Sequence, residues 1–192
     1  MRDTALGLAL ITNARQAIGA ALGRVLGSPT HHPGLTMLGA TFVTLFRHGE
    51  LRGCIGTLKA YRPVVDDVRA NALAAAFQDP RFAALNESEF DTLSVEVSLL
   101  SPPEKLLFAD EGELLSALEP GIDGVIMECA EQRATFLPQV WATLPVPRDF
   151  IAELKRKAGM RDDFWSAAVN VSRYGVTKWK ESDFTLVEIS NE

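Results

Sequence analysis

Hydrophobic and polar positions follow two different periods along the first half of the chain. Between residues 4 and 26 the apolar side chains recur every three to four positions, which predicts an amphipathic helix that packs on a core. Residues 40–46 are rich in β-branched and aromatic types, and residues 51–57 return after a polar turn, so together they predict a β-hairpin. The helical period resumes after Pro63 and stops at Asp79.

The same order of elements returns in the second half. Leu93–Leu100 alternates between apolar and polar side chains, which predicts a strand with one polar face. Asp110 has the position of a capping residue for a short helix. Residues 124–128 and 134–137 then predict a second hairpin, with a turn at residues 129–133.

An amphipathic helix over residues 150–158 and a strand over residues 169–174 complete this second series. A hairpin, a helix and a strand therefore occur twice, which predicts an internal duplication of this unit. Because the hairpins are formed by consecutive strands, the predicted fold class is α+β, with largely antiparallel sheets and flanking helices rather than a doubly wound parallel sheet.

The composition fits one or two small globular domains, since 47% of the 192 residues are hydrophobic and 23% are charged. The formal net charge is -6, which disfavours non-specific binding to nucleic acid because that binding depends on concentrated positive charge. No apolar run approaches the roughly 18 residues that a membrane-spanning helix needs. We therefore expect neither nucleic acid nor a membrane among the partners.

The chain contains two cysteines, Cys54 and Cys129, which are too few for a disulfide framework. Its first residues do not have the charged and then apolar pattern of a signal peptide. These two observations predict a cytoplasmic protein. Cys129 falls in a predicted turn and is interpreted as incidental.

The hexapeptide at residues 51–56 places a cation and a thiol close together. On an extended strand, Arg52, Cys54 and Gly56 share one face, because side chains alternate. Gly53 and Gly56 carry no Cβ, so a ligand or a second backbone can approach the strand closely. The alternative is a cysteine packed as a small apolar residue in a core, with the Arg52 side chain extending to the edge.

Five further residues are candidates for a site. Glu96 and Ser98 lie on the polar face of their strand, where Glu96 is a candidate general base or an ion-pair partner. Asp79 and Arg81 flank Pro80 and present a carboxylate and a cation to the same cleft, or form a local ion pair at a turn. Thr135 precedes an apolar strand end and contacts either a ligand or only its neighbours.

Sequence motifs for nucleotides, zinc proteases and dithiol chemistry are missing, so neither a cofactor nor a metal is predicted. His31 and His32 are adjacent in a loop, but no Cys, Asp or Glu stands at ligand spacing, which favours solvated side chains. His48 lies in the turn of the first predicted hairpin, and a catalytic pair with Cys54 would require a short strand pair or a turn that folds over the thiol.

Six stretches carry a resemblance to a known family: residues 51–56, 71–82, 95–102, 120–124, 135–141 and 157–159. Taken in order, they resemble the AMMECR domain family over about Leu6 to Tyr174. In prokaryotes this family includes the A protein of the AmmeMemoRadiSam system, beside a Memo-like protein and a radical SAM protein. The resemblance implies a compact α+β domain over residues 4–180, with two interleaved subdomains around a cleft near the hexapeptide. Residues 181–192 are expected to form a C-terminal extension.

Two hypotheses about function follow. In the first, the chain is a small-molecule enzyme in which Cys54 is the nucleophile and Glu96 a catalytic partner. Arg52 then fixes an anionic group of the substrate, and the backbone at Gly53 and Gly56 approaches a developing oxyanion. In the second, the same cleft holds a metabolite or a segment of a partner protein without catalysis, beside the Memo-like and radical SAM proteins.

Overall fold

The computed structural model describes residues 2–28 and 30–185. Its helices are α1 (Thr4–Ala21), α2 (Val64–Phe77), α3 (Glu111–Ala117), α4 (Pro147–Lys157) and α5 (Ser182–Thr185). Its strands are β1 (Leu38–Gly39), β2 (Thr41–Arg47), β3 (Glu50–Gly56), β4 (Arg62–Pro63), β5 (Leu93–Leu100), β6 (Glu104–Lys105), β7 (Gly124–Cys129), β8 (Gln132–Phe136), β9 (Asn170–Tyr174) and β10 (Val176–Lys180).

The chain divides into two compact units. Among the described residues, the first is made by the chain up to Leu100 together with residues 177–185. Its four-stranded sheet has the order β10-β5-β2-β3, in which β2 runs antiparallel to both β3 and β5. Helices α1 and α2 pack on each other and on this sheet. Val43, Leu45 and Val95 are fully buried in the core between them.

The helices of this unit begin where the sequence predicts but α1 ends earlier. The Asp3 carboxylate accepts a hydrogen bond from the Leu6 N–H at 3.0 Å and so caps the start of α1. The predicted helix over residues 4–26 stops at Ala21, because Gly23 takes a left-handed conformation with φ of 78°. The second helix, α2, follows Pro63 and ends at Phe77, before Asp79 as predicted.

The hairpin of β2 and β3 turns through two residues. His48 and Gly49 both have positive φ, 51° and 83°, which matches the twist that short hairpins need. Leu45 pairs with Gly53, but Phe46 pairs with Leu51, so Arg52 is an extra residue in β3. This bulge interrupts the alternation of side chains on which the sequence prediction for Arg52 depended.

The second unit comprises residues 101–176 and has the sheet order β6-β9-β7-β8 with antiparallel pairs. Its core includes Phe150 of α4, whose ring stacks on Trp141 with 3.8 Å between the centroids. The hairpin turns at Ala130, which has φ of 52°. The turn is therefore shorter than predicted, and Cys129 is the buried last residue of β7.

The two sheets repeat one order of strands. In each unit a hairpin is followed by a helix and a third strand, and that third strand lies beside the first strand of the hairpin. The prediction of an α+β fold with antiparallel sheets and flanking helices is confirmed. A duplication of the sequence and a cleft near the hexapeptide stay predictions.

The C-terminal part of the chain contributes to the first unit. Strand β10 joins its sheet beside β5, which the sequence analysis did not predict. In the predicted extension, a Glu181 carboxylate oxygen accepts a hydrogen bond from the Val95 N–H at 3.0 Å, and Phe184 packs against the first core. The remainder of the extension, residues 186–192, lies outside the described residues.

Candidate functional site

Cys54 lies on the edge strand of the first sheet, where a strand has no further strand to bind its outward backbone groups. Two side chains from the loop after α2 bind the outward backbone groups of Cys54 instead. A carboxylate oxygen of Asp79 accepts the Cys54 N–H at 2.8 Å, and Arg81 Nη2 donates to the Cys54 carbonyl oxygen at 3.2 Å. The structure therefore brings three of the predicted site residues together.

Asp79 and Arg81 also bind each other. Arg81 Nη2 lies 2.6 Å from Asp79 Oδ2, and Nε lies 2.9 Å from Oδ1. Hydrogen bonding to Arg81 holds the pKa of Asp79 well below its usual range, and backbone N–H groups of Cys54 and Arg81 add to this effect. The Asp79 side chain is only 2% exposed, whereas that of Arg81 is 52% exposed, so the guanidinium offers a surface to solvent.

The cation beside Cys54 is thus Arg81. Its pKa is raised chiefly by hydrogen bonding to Asp79 and additionally by Cys54. The sulfur itself lies 3.3 Å from Thr44 Oγ1 on the neighbouring strand. Thr44 was not predicted as a site residue, although the hairpin register alone places it opposite Cys54.

Arg52 has different partners from those predicted. Its Nε donates to Glu89 Oε1 at 2.9 Å, and its Nη2 donates to Glu89 Oε2 at 3.1 Å and to the Ala83 carbonyl oxygen. This arrangement lowers the pKa of Glu89 to about 2, chiefly through the hydrogen bonds from Arg52. The Phe82 ring lies near two cations, with the Arg52 guanidinium 5.8 Å and the Arg81 guanidinium 5.5 Å from its centroid.

Glu96 occupies the same row across the sheet as the thiol, but two strands away. It pairs with Thr44, which in turn pairs with Cys54. Two strand spacings correspond to roughly 10 Å between the Cα atoms of Glu96 and Cys54. The buried Glu96 carboxylate forms an ion pair with Lys178 Nζ at 2.9 Å. Of the two roles considered for Glu96, general base or ion-pair partner, the contact with Lys178 matches the second.

The two glycines of the hexapeptide make room for the chain itself. A Cβ on Gly53 would overlap the carbonyl oxygen of Ala75 in α2. A Cβ on Gly56 would overlap the Phe42 ring. The Cys54 N–H of this strand is bound to Asp79, so this one N–H is not a free donor for an oxyanion.

The two remaining predicted site residues lie elsewhere. Ser98 is buried on β5, opposite Phe42 and two residues beyond Glu96. Thr135 belongs to the second unit, where its Oγ1 lies 3.0 Å from the Tyr174 hydroxyl and its carbonyl oxygen accepts a hydrogen bond from Lys157 Nζ at 2.9 Å.

The histidines do not contribute to this site. His48 is at the tip of the hairpin, four residues along β2 from Thr44, which corresponds to roughly 13 Å. The His32 ring accepts the Gly34 N–H at 3.0 Å and lies 3.4 Å from the Asp3 carboxylate. Within residues 2–28 and 30–185, no group of three or more His, Cys, Asp and Glu side chains is placed to hold a metal ion.

The fold and the site define a class of α+β proteins with two sheet-and-helix units and a cysteine held on an edge strand by an Asp–Arg pair. The AMMECR1 family model matches residues 11–179 of this chain. The chain therefore belongs to the AMMECR1 family, as the resemblance predicted.

Relatives from several organisms are similar to this chain over more than two thirds of its length. A protein of Methanothermobacter thermautotrophicus is 37% identical over 139 residues, which cover 69% of this chain and 70% of that protein. A protein of Saccharolobus islandicus is 34% identical over 200 residues, which cover 97% of this chain and 88% of that protein. The crystal structure of an uncharacterized protein from Pyrococcus horikoshii superposes with a TM-score of 0.74 at 32% identity, covering 94% of this chain and 93% of that one.

In the part of the chain that the structure describes, no helix combines the length and the apolar character that crossing a membrane requires.

Proposed function

We propose that this chain is a small-molecule enzyme in which the Cys54 thiol is the reacting group and Arg81 binds an anionic group of the substrate. The observation that carries this proposal is the position of Arg81, whose half-exposed guanidinium is fixed on the Cys54 carbonyl oxygen. Arg81 takes the role that the sequence analysis gave to Arg52, because the Arg52 side chain is bound to Glu89 and only 13% exposed, whereas the Arg81 side chain is 52% exposed.

The chemistry depends on the thiolate form of Cys54. The thiolate, rather than the thiol, is the form of cysteine that attacks an electrophile. The Thr44 hydroxyl, at 3.3 Å, is in position to donate a hydrogen bond to the sulfur anion. An anionic substrate bound to Arg81 would hold its electrophilic carbon near the sulfur. Holding the two reacting atoms close together accelerates the reaction.

The test compares the two cysteines of one protein. Cys129 is 8% exposed and serves as an internal control for Cys54, which is partly exposed. We expect iodoacetamide to alkylate Cys54 at least roughly tenfold faster than Cys129 at neutral pH, as followed by mass spectrometry of the peptides. Cys54→Ser should keep the fold and abolish turnover.

If Cys54 is not the faster-reacting cysteine, its role is structural rather than catalytic. In that case Cys54 would react only after unfolding, and Cys54→Ser would lower the free energy of unfolding by roughly 1–3 kcal/mol, the cost of burying a hydroxyl in place of the sulfur.

A second candidate function is a binding module without catalysis, which holds a metabolite or a segment of a partner such as a Memo-like or radical SAM protein. The positions of His48 and Glu96 favour it, because neither acid–base candidate lies beside the sulfur. Ligand binding that survives Cys54→Ser but is lost in Arg81→Met would favour this candidate over the enzyme.

A further inference from the structure

The Asp79 carboxylate connects the thiol residue and its cation. Its Oδ2 accepts from the Cys54 N–H at 2.8 Å and from Arg81 Nη2 at 2.6 Å. Its Oδ1 accepts from the Arg81 N–H at 3.1 Å and from Arg81 Nε at 2.9 Å. A carboxylate with two oxygens has about four lone-pair sites, so these four bonds use its capacity.

Arg81 has a second set of contacts that does not involve Asp79. Its Nη2 donates to the Cys54 carbonyl oxygen at 3.2 Å, and its guanidinium lies 5.5 Å from the centroid of the Phe82 ring. These contacts are to Cys54 and to the residue next to Arg81. We therefore expect the guanidinium to stay beside Cys54 when the charge of Asp79 is removed.

We propose that Asp79 sets the charge of the Cys54 site, because its carboxylate offsets the guanidinium charge of Arg81 that an anionic ligand meets there. This inference rests on the proposed function and names what controls the anion affinity of the same site. Asp79 and Arg81 carry opposite charges 2.6 Å apart, so their fields largely cancel at a ligand several ångströms away. Without the carboxylate, a full positive charge would remain.

The experiment measures the charge at the thiol with two alkylating reagents. Iodoacetate and iodoacetamide undergo the same reaction, in which the Cys54 thiolate forms a bond to carbon and iodide leaves, but only iodoacetate is an anion. The ratio of their rate constants at Cys54, determined in the full chain at low ionic strength, reports the local charge. A change in fold or in accessibility would alter both rates together and leave the ratio unchanged.

We expect Asp79→Asn to raise this ratio by about 3- to 10-fold, the effect of one additional unit charge about 6 Å away in a partly solvated site. Arg81→Met should lower the ratio below the wild-type value. Arg69→Met is the matched control, because Arg69 is an exposed arginine on α2 and its removal changes the net charge by the same amount. The control should keep the wild-type ratio.

An unchanged ratio in folded Asp79→Asn overturns the inference, and the proposed function then stands. Asp79→Ser is the second variant, since its hydroxyl can still accept a hydrogen bond and has no charge; the same increase is expected. If circular dichroism shows that both variants are unfolded, the other contacts of Arg81 do not hold the site, and the inference is equally overturned. A folded wild-type protein in which Cys54 reacts with neither reagent would instead refute the proposed function, and this inference with it.

Discussion

Arg52 and Glu89 form a two-bond ion pair, with Nε donating to Oε1 at 2.9 Å and Nη2 donating to Oε2 at 3.1 Å. The two side chains are only 13% and 8% exposed. Removing one partner of a buried pair leaves the other charge without compensation. We therefore expect Arg52→Met to lower the free energy of unfolding by about 3 kcal/mol in chemical denaturation.

Arg47→Met is the control for this prediction. Arg47 Nη1 also contacts Glu89, at 3.3 Å, but the Arg47 side chain is 40% exposed, so its loss should cost less than about 1 kcal/mol. A stable Arg52→Met variant with slower alkylation of Cys54 would contradict the prediction and return Arg52 to the anion-binding role.

The same pair predicts a pH dependence of stability. Hydrogen bonding to Arg52 lowers the pKa of Glu89 from 4.5 to about 2. A carboxyl group with a lower pKa in the folded state stabilises the fold fully above its unfolded-state pKa, and this stabilisation is lost as the pH falls through the folded-state pKa. The contribution of Glu89 should therefore disappear between about pH 4.5 and about pH 2.

Urea denaturation across this pH window measures the effect. On unfolding, the wild type should take up at most about one proton more than Glu89→Gln. Its free energy of unfolding should therefore rise more steeply with pH, by at most ~1.4 kcal/mol per pH unit. Asp79, whose pKa is also lowered, remains in both proteins, so the difference isolates Glu89. If the free energies of unfolding of the wild type and of Glu89→Gln change with pH in parallel, Glu89 has the same pKa in the folded and the unfolded state, which contradicts the prediction.

Local patterns accounted for most of the fold. The alternation over Leu93–Leu100 and the polar turn at His48 depend on neighbouring residues, so the sequence alone predicts β5 and the first hairpin. Short strands such as β6 have no period of their own, because they exist only through their pairing with a distant strand. These elements could not be predicted.

The site was harder to predict because its contacts are long-range. Arg81 reaches Cys54 only through the path of the loop after α2, and no spacing in the sequence encodes that path. Counting alternate residues places Arg52 beside the thiol, but a bulge at this position breaks the alternation. Thr44 could have been found, since the hairpin turn fixes which residue stands opposite Cys54.

Gly53 lies where α2 comes closest to β3. A Cβ at this position would overlap the carbonyl oxygen of Ala75, which belongs to the helix backbone and cannot move alone. We expect Gly53→Ala to lower the free energy of unfolding by about 1–3 kcal/mol, the usual cost of overpacking a core. Gly27→Ala is the control, because a Cβ on Gly27 meets no atom within 4 Å. Equal melting temperatures for the two variants would contradict the close approach of α2.

Asp67 is the centre of a buried polar network in the first unit. Thr41 donates to Asp67 Oδ2 from both its N–H and its hydroxyl, each at 2.7 Å, and Asn71 Nδ2 donates to the same oxygen at 2.9 Å. Thr57 and Arg62 donate to Oδ1, each at 2.8 Å. Thr41 and Asp67 are both fully buried, so water cannot replace a bond that is lost.

Thr41→Val tests the strength of this network, because valine keeps the branched shape and has a methyl group in place of the hydroxyl. The variant leaves Asp67 without one donor, and Asn71 Nδ2 loses the Thr41 Oγ1 acceptor at 3.1 Å. A hydrogen bond to a charged group contributes roughly 1.5–3 kcal/mol, which is the expected loss in the free energy of unfolding. Thr36→Val removes a hydroxyl from an exposed position and should change stability by less than about 0.5 kcal/mol. Equal losses in both variants would mean that the Thr41 hydroxyl is not needed to satisfy Asp67.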